Sequence, residues 1–307
     1  MVRCFRSLGD VIVNKQNVYE TVTSRIVEAI EAGAGTWQMP WHRSNTSRPV
    51  NAQSGRTYHG INVLTLWVAA EAERYSSGYW ATYRQWQDLE AQVRKGEKAS
   101  LVVFWKQTDL ERENAETGER ETKQMLLARA SWAFNADQVA GWTPPTPKVR
   151  GAIQVLADAE IFVSRTGAPI QHGGDRAFYR PSADEIHMPE RDRFVGSPTS
   201  SATEAYYSTL LHELTHWTGH ERRLARDLTG RFGDHAYAME ELVAELGAAF
   251  LCADLAITNV PRSDHAAYIA NWLDVLRSDK RAVFTAASKA SAASEYLFSL
   301  QPKRVPT

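Results

Sequence analysis

Apolar residues recur along this chain with two periods, and together they sketch its elements. Val18, Val22, Ile26 and Ile30 are spaced by four, a helical stripe over about residues 17–33 that Gly33 is placed to cap. A second helical pattern covers about residues 60–75, and a third, short one starts in Trp80-Ala81-Thr82-Tyr83-Arg84-Gln85-Trp86. Residues 100–105 form a strand-like apolar run, and residues 126–134 are its hairpin partner. The charged stretch 108–123 between them reads as a solvated hairpin tip or loop. Helical patterning returns at about Ala152, and residues 172–181 and 184–189 read as two strands around a Pro-Ser-Ala-Asp turn. Two more helical runs follow, one uninterrupted by proline between Ala202 and Arg231 and one from Tyr237 to Leu251. The mixture predicts an α+β fold. Pro144, Pro145 and Pro147 fall within four residues, which predicts an extended linker over residues 143–150 between a domain at 1–142 and a domain at 151–307.

The second domain carries the most specific chemistry. His212-Glu213-Leu214-Thr215-His216 fits HExxH. On a helix, residues four apart share a face, so two imidazoles can grip one metal ion while the offset Glu213 reaches a bound water as general base. A catalytic zinc site takes a third protein ligand. His220 lies four residues beyond His216. In an unbroken helix it would stand about 12 Å from His212, too far for one ion unless Gly219 folds the chain back. Arg222 occupies the position where the longer HExxHxxGxxH spacing needs histidine. The preferred third ligand is Glu241 on the next helical run, with Glu245 one turn later behind a ligand histidine, since such carboxylates orient metal-binding imidazoles. Glu240 is the alternative, because the register of that helix stays open. The plainer reading of both runs is a pair of amphipathic helices whose histidines and glutamates face water.

Composition narrows the class without choosing a function. Apolar residues make up 43 % and charged residues 23 % of the 307, ordinary for a globular protein. No run of about 18 apolar residues predicts a membrane span, and no secretory segment is visible at the start. Cys4 and Cys252 are too far apart in sequence and setting to suggest a disulfide framework, which fits a reducing, cytoplasmic setting. The net charge is −1, with an excess of three positive charges before residue 151 and four negative charges after it. That asymmetry is too small to argue for nucleic acid by itself.

Aromatic residues are less evenly spread. Eight of the ten tryptophans precede residue 143, several beside Arg or Lys, and Val93-Arg94-Lys95-Gly96-Glu97-Lys98 adds a basic turn. Aromatic faces stack on unpaired bases while nearby cations track phosphates. Tryptophans also fill cores, and composition alone favours that role, above all for Trp67 and Trp105.

Six segments taken together resemble a known family. They are Trp37-Gln38-Met39-Pro40-Trp41, Tyr58-His59-Gly60-Ile61-Asn62, the run from Trp80 to Trp86, Val93-Arg94-Lys95-Gly96-Glu97, the stretch from His212 to His220, and Glu240-Glu241-Leu242-Val243-Ala244-Glu245. The chain is similar over about residues 15–300 to the ArdC-type antirestriction proteins of conjugative plasmids, related to the N-terminal regions of TraC-type primases. Residues 1–14 match nothing in that pattern. The resemblance implies an N-terminal domain that binds single-stranded DNA, with duplex DNA a further option, and a C-terminal zincin-like metallopeptidase domain. It implies a role protecting incoming plasmid DNA from host restriction. The site residues it singles out are His212, His216 and Glu241 for Zn2+, with Mn2+ or another divalent ion as the alternative, Glu213 for catalysis and Glu245 in support. For DNA they are Trp41, Arg43, Tyr58, Trp80, Arg84, Trp86, Arg94 and Lys95. The protein partner it suggests is a substrate such as a restriction enzyme, with no membrane involved. A second reading keeps the DNA shield and makes the metal site structural or silent.

Overall fold

The computed structural model describes residues 15–34, 47–113, 120–145, 151–197, 200–230, 234–258 and 265–302. Trp41, Arg43 and residues 1–14 therefore lie outside the described residues. In chain order the first half comprises α1 (Lys15–Ala34), β1 (Val50–Asn51), α2 (Ile61–Glu73), β2 (Tyr79–Thr82), α3 (Tyr83–Asp88), β3 (Gln92–Val93), β4 (Ser100–Glu113), β5 (Arg120–Asn135) and β6 (Val139–Ala140). The four-spaced stripe of α1 is buried throughout, as its period predicts. The run from Trp80 to Trp86 is not one helix. Thr82 ends β2 and caps α3, its hydroxyl accepting from the Gln85 amide while the Gln85 side chain accepts from the Thr82 amide. This reciprocal cap fixes the change of period at one residue.

Four of these strands form a sheet in the order β1-β2-β5-β4. The β4–β5 ladder runs from Ser100↔Ala133 out to Glu113↔Arg120, so pairing reaches well into the charged stretch read as a hairpin tip or loop. Backbone groups of two antiparallel strands satisfy each other whatever the apolar content of the segment. At the sheet edge, the buried Asn62 amide mimics a neighbouring strand. Its Nδ2 donates to the Val103 carbonyl at 2.8 Å, and its Oδ1 accepts from the Val103 N–H at 2.7 Å.

The second half comprises α4 (Ala152–Thr166), β7 (Ile170–His172), β8 (Phe178–Arg180), β9 (Glu185–Met188), α5 (Ala202–Trp217), α6 (His235–Leu255), α7 (His265–Ser278) and α8 (Ala282–Ser299). The first of the two expected strands is divided into β7 and β8, and the small sheet runs β7-β9-β8. Gly173 and Gly174 divide it, at φ 140° and 74°, where the chain must leave the extended region. Among the described residues no helix is long and apolar enough to cross a membrane.

The linker does not mark a break in packing. One apolar cluster joins Val22, Leu64, Trp67 and Val103 of the first half to Leu246, Phe250, Trp272 and Ala287 of the second. A second cluster lies on another side of α6 and gathers Ile186, Met188, Leu210, Leu214 and Leu251. Helix α6 is thus buried nearly all round, a central pillar shared by both halves.

Candidate metal centre

The motif sits at the C-terminal end of α5. Ser201 starts this helix with a capping box, its Oγ accepting from the Glu204 amide at 3.2 Å while Glu204 accepts from the Ser201 amide at 2.8 Å. The helix runs unbroken from there, so His212 and His216 share a face, and both point toward α6. The two helices come unusually close where Gly247 meets Thr215. A Cβ on Gly247 would lie 2.4 Å from Thr215 Cγ2 and 2.7 Å from its Oγ1. This contact lets the α6 carboxylates reach the imidazoles.

His212, His216 and Glu241 each offer one ligand atom, and these atoms lie within 4.8 Å of one another. The two Nε2 atoms are 3.2 Å apart, with Glu241 oxygens 3.6 Å from His212 Nε2 and 3.5 Å from His216 Nε2. Two imidazole nitrogens so close need a shared proton or a cation between them, and two nitrogens with one carboxylate oxygen are a donor set suited to a divalent metal. The residues present therefore fit such an ion. His220 is not in this group: the chain turns after Trp217, and the His220 Nδ1 accepts from the Arg222 amide instead.

Charge is concentrated here in a buried setting. Burial disfavours the His216 imidazolium, but the Glu241 and Glu240 carboxylates outweigh it and hold the ring up to about 10. Burial likewise works against the charged Glu241, yet His216 and His212 keep its carboxyl well below the usual range. Glu240 does not join the ligand cluster. It meets His216 from the other side, its Oε1 3.1 Å from Nδ1, and is itself bound by Arg226. Glu245 lies beside His212 as the spacing suggested, but at 3.7 Å from Nδ1, longer than a hydrogen bond. Among the described residues the His212 Nδ1 has no hydrogen-bond partner.

A cleft of about 410 Å³ opens over this cluster, with His212, Glu213, His216 and Glu241 in its lining. One wall comes from Phe178 and Tyr179 of β8, the edge strand, and Pro181 beyond it; the other comes from Leu228 and Tyr237. The β8 wall is tied to the end of α5. Arg223 lies over the Trp217 ring, its Cζ 3.8 Å from the centroid, donates to both Asp184 oxygens, and donates from Nε to the Trp217 carbonyl at 2.6 Å. Tyr179 donates to Asp184 at 2.8 Å, so its hydroxyl is committed away from the cleft chemistry. Arg223 and Arg226 carried no periodic signal in the sequence. They follow α5, which ends at Trp217 rather than continuing along the proline-free run to Arg231.

The residues singled out for DNA divide between core and surface. Trp80 and Trp86 are 1 % and 0 % exposed and Tyr58 is buried, so none of the three offers a face to a base. This corrects the expectation: in Trp80 and Trp86 the strand and helix phases turn the rings inward, where Trp86 Nε1 donates to the Phe134 carbonyl. Arg94 is paired with Glu97 at 2.9 Å and also donates to the Asp137 carbonyl, whereas Arg84 and Lys95 are exposed. Among the described residues of the first half, the exposed large aromatics are others: Tyr83, Phe104, Trp105 and Trp132. Trp67 is core as expected, but Trp105 is 42 % exposed. Alternation along a strand could have marked Trp132 as a surface residue only once the buried face was known.

Comparison with known proteins agrees with this architecture. A family model for the N-terminal domain of anti-restriction factor ArdC matches residues 16–134, and one for a zincin-like metallopeptidase matches residues 157–289. The chain is 49 % identical over 290 residues to the uncharacterized protein y4eC of Sinorhizobium fredii, covering 93 % of this chain and 92 % of that one. It is 37 % identical over 306 residues to a DNA primase TraC of Escherichia coli, of whose length it spans only 20 %. The metal-free crystal structure of the antirestriction ArdC protein from plasmid R388 superposes with a TM-score of 0.73 at 38 % identity, over 92 % of this chain and 97 % of that one. The Mn(II)-bound structure of the same protein gives a TM-score of 0.68, over 94 % and 99 %. The chain belongs to the ArdC family of antirestriction proteins, built from an ArdC N-terminal domain and a zincin-like domain.

Proposed function

We propose that this protein protects entering DNA from restriction by binding single strands and by carrying a metal-dependent peptidase centre. The observation that carries the second part is the convergence of His212, His216 and Glu241 within 4.8 Å under a cleft that also holds Glu213. His212, His216 and Glu241 hold a divalent ion, zinc by the donor set or manganese by analogy with the Mn(II)-bound relative. Such an ion, when bound, acts as a Lewis acid on a carbonyl and acidifies a water molecule. Glu213 would take a proton from the attacking water and return it to the departing amine. Tyr237 also lines the cleft, and a tyrosine hydroxyl there can donate to a developing oxyanion. The substrate is an extended protein segment, a restriction enzyme being the partner that suits the biology of the family.

For DNA we propose the face carrying Trp132 and Phe134, which are two apart on β5 and share a side of the sheet. Tyr83 packs edge-on against Phe134 at 6.3 Å, and the exposed Arg84 follows it on α3. Exposed rings beside a cation are the elements of base stacking with phosphate contact.

Replacing Glu213 by Gln is the decisive test. Metal content measured by elemental analysis should be unchanged, while proteolysis of a bound protein substrate falls by about 10²–10⁴-fold. Proteolysis at wild-type rate would remove Glu213 from the mechanism. Restriction protection in cells that survives Glu213→Gln but is lost in Trp132→Ala would favour the shield without peptidase action.

A further inference from the structure

We propose that Arg226 and Glu240 act as a positioning clamp on His216, fixing which ring nitrogen faces the metal-binding cluster. The inference rests on the metal-centre reading above. It begins from an inequality between the two histidines. Among the described residues the outer nitrogen of His212 has no hydrogen-bond partner, whereas the outer nitrogen of His216 is 3.1 Å from Glu240 Oε1. A ring whose Nδ1–H is donated to a carboxylate leaves Nε2 as the nitrogen that can give its lone pair to an ion, and here that side faces His212 and Glu241.

Glu240 is in turn held at both oxygens. Arg226 Nε lies 3.0 Å from Oε2, and Arg226 Nη2 lies 2.8 Å from Oε1. The same guanidinium donates to Thr218 Oγ1 at 2.8 Å and to the Thr215 carbonyl at 2.6 Å. It thereby satisfies groups left open at the C-terminal end of α5. Space for it depends on Gly219, where a Cβ would stand 2.9 Å from Arg226 Nη2. Arg226 and Glu240 are both buried at their side chains, so the fork geometry is held away from water. The chain of contacts runs from the end of α5 through Arg226 and Glu240 of α6 back to His216 on α5. It makes the orientation of one ligand ring depend on the turn that follows the motif. A lysine at 226 would keep the charge but not the two-pronged contact.

The test uses the full chain, labelled with 15N, with and without Zn2+. In the wild type a His216 Nδ1–H proton should be protected from exchange in both samples. Glu240→Ala should lose that signal and bind Zn2+ about 10–100-fold more weakly in competition with a chelator. Glu240→Gln retains an acceptor oxygen, so it should restore the proton signal and part of the affinity. Arg226→Lys should weaken Zn2+ binding by less than Glu240→Ala. An unchanged proton signal in Glu240→Ala, or Zn2+ affinity equal to the wild type, overturns the clamp. Failure of the metal-centre reading looks different: the wild type and His216→Ala would bind Zn2+ equally poorly. In that event the clamp stands or falls on the proton signal of the metal-free protein alone.

Discussion

The α5–α6 crossing and the four-stranded sheet use polar and aromatic residues in opposite ways. At the crossing, groups that are costly to bury are drawn inside and made to answer one another: His212, His216, Glu240, Glu241 and Arg226 all lie against partners of opposite charge or complementary hydrogen bonding. In the sheet half, Trp67, Trp80 and Trp86 are ordinary core, while Trp105 and Trp132 stand in solvent. The lesson is that a buried charge announces chemistry, because packing alone never justifies it. A tryptophan announces nothing until its face is known, because both burial and base stacking suit it.

The strongest test of this contrast pairs two tryptophans. Trp86→Ala removes a fully buried ring and should cost about 3–5 kcal/mol of stability in urea unfolding. Trp132→Ala should leave unfolding nearly unchanged and weaken binding to a single-stranded oligonucleotide by about 1–3 kcal/mol. If the two effects were exchanged, the assignment of core and surface would be wrong.

The crossing can be probed through its spacing. Gly247→Ala forces a methyl group into Thr215, a β-branched residue already bound to the Leu211 carbonyl at 2.8 Å. It should destabilise the protein by about 1–3 kcal/mol and also lower metal affinity, since the helices must part. Loss of stability with full metal affinity would show that the ligands do not depend on this contact.

The smallest expected effect concerns Asp254, at the C-terminal end of α6. Burial pushes its carboxyl up to about 6 against the pull of Arg48, which lies 3.1 Å away. The folded state therefore binds a proton at a higher pH than the unfolded chain does. Its contribution grows as pH falls through 6 toward the unfolded value near 4, and is absent above about 7. Between pH 7 and pH 5 the wild type should gain about 1 kcal/mol relative to Asp254→Asn, read from paired denaturation curves. Parallel curves for the two proteins would place the titration elsewhere.

Much of the metal centre was legible because its geometry is local. A four-residue spacing on a helix puts His212 and His216 on one face without reference to anything else in the molecule. Glu241 was preferred over Glu240 from its four-residue spacing to Glu245, but the register of the second helix stayed open. That choice depends on how α6 is rotated against α5, which Gly247 and Thr215 decide by touching. Arg226 was hidden because no local period links a turn residue to a carboxylate on the next helix. The linker was legible as a change of composition, yet it did not reveal that α1 and α2 pack on α6, α7 and α8. The strand–helix switch at Thr82 was missed because an apolar, aromatic run suits either period until the cap is seen.

By itself, then, the sequence determined what repeats within a turn or two of chain. That includes the stripe of α1, the paired imidazoles of α5 and the presence of carboxylates on α6, since bond geometry and helical pitch leave no other arrangement. Only the tertiary structure decided which carboxylate meets which imidazole, which tryptophan faces water, and that the two halves share a core. Those outcomes depend on helix rotation, close approach and sheet edge, which are properties of contacts between segments distant in the chain.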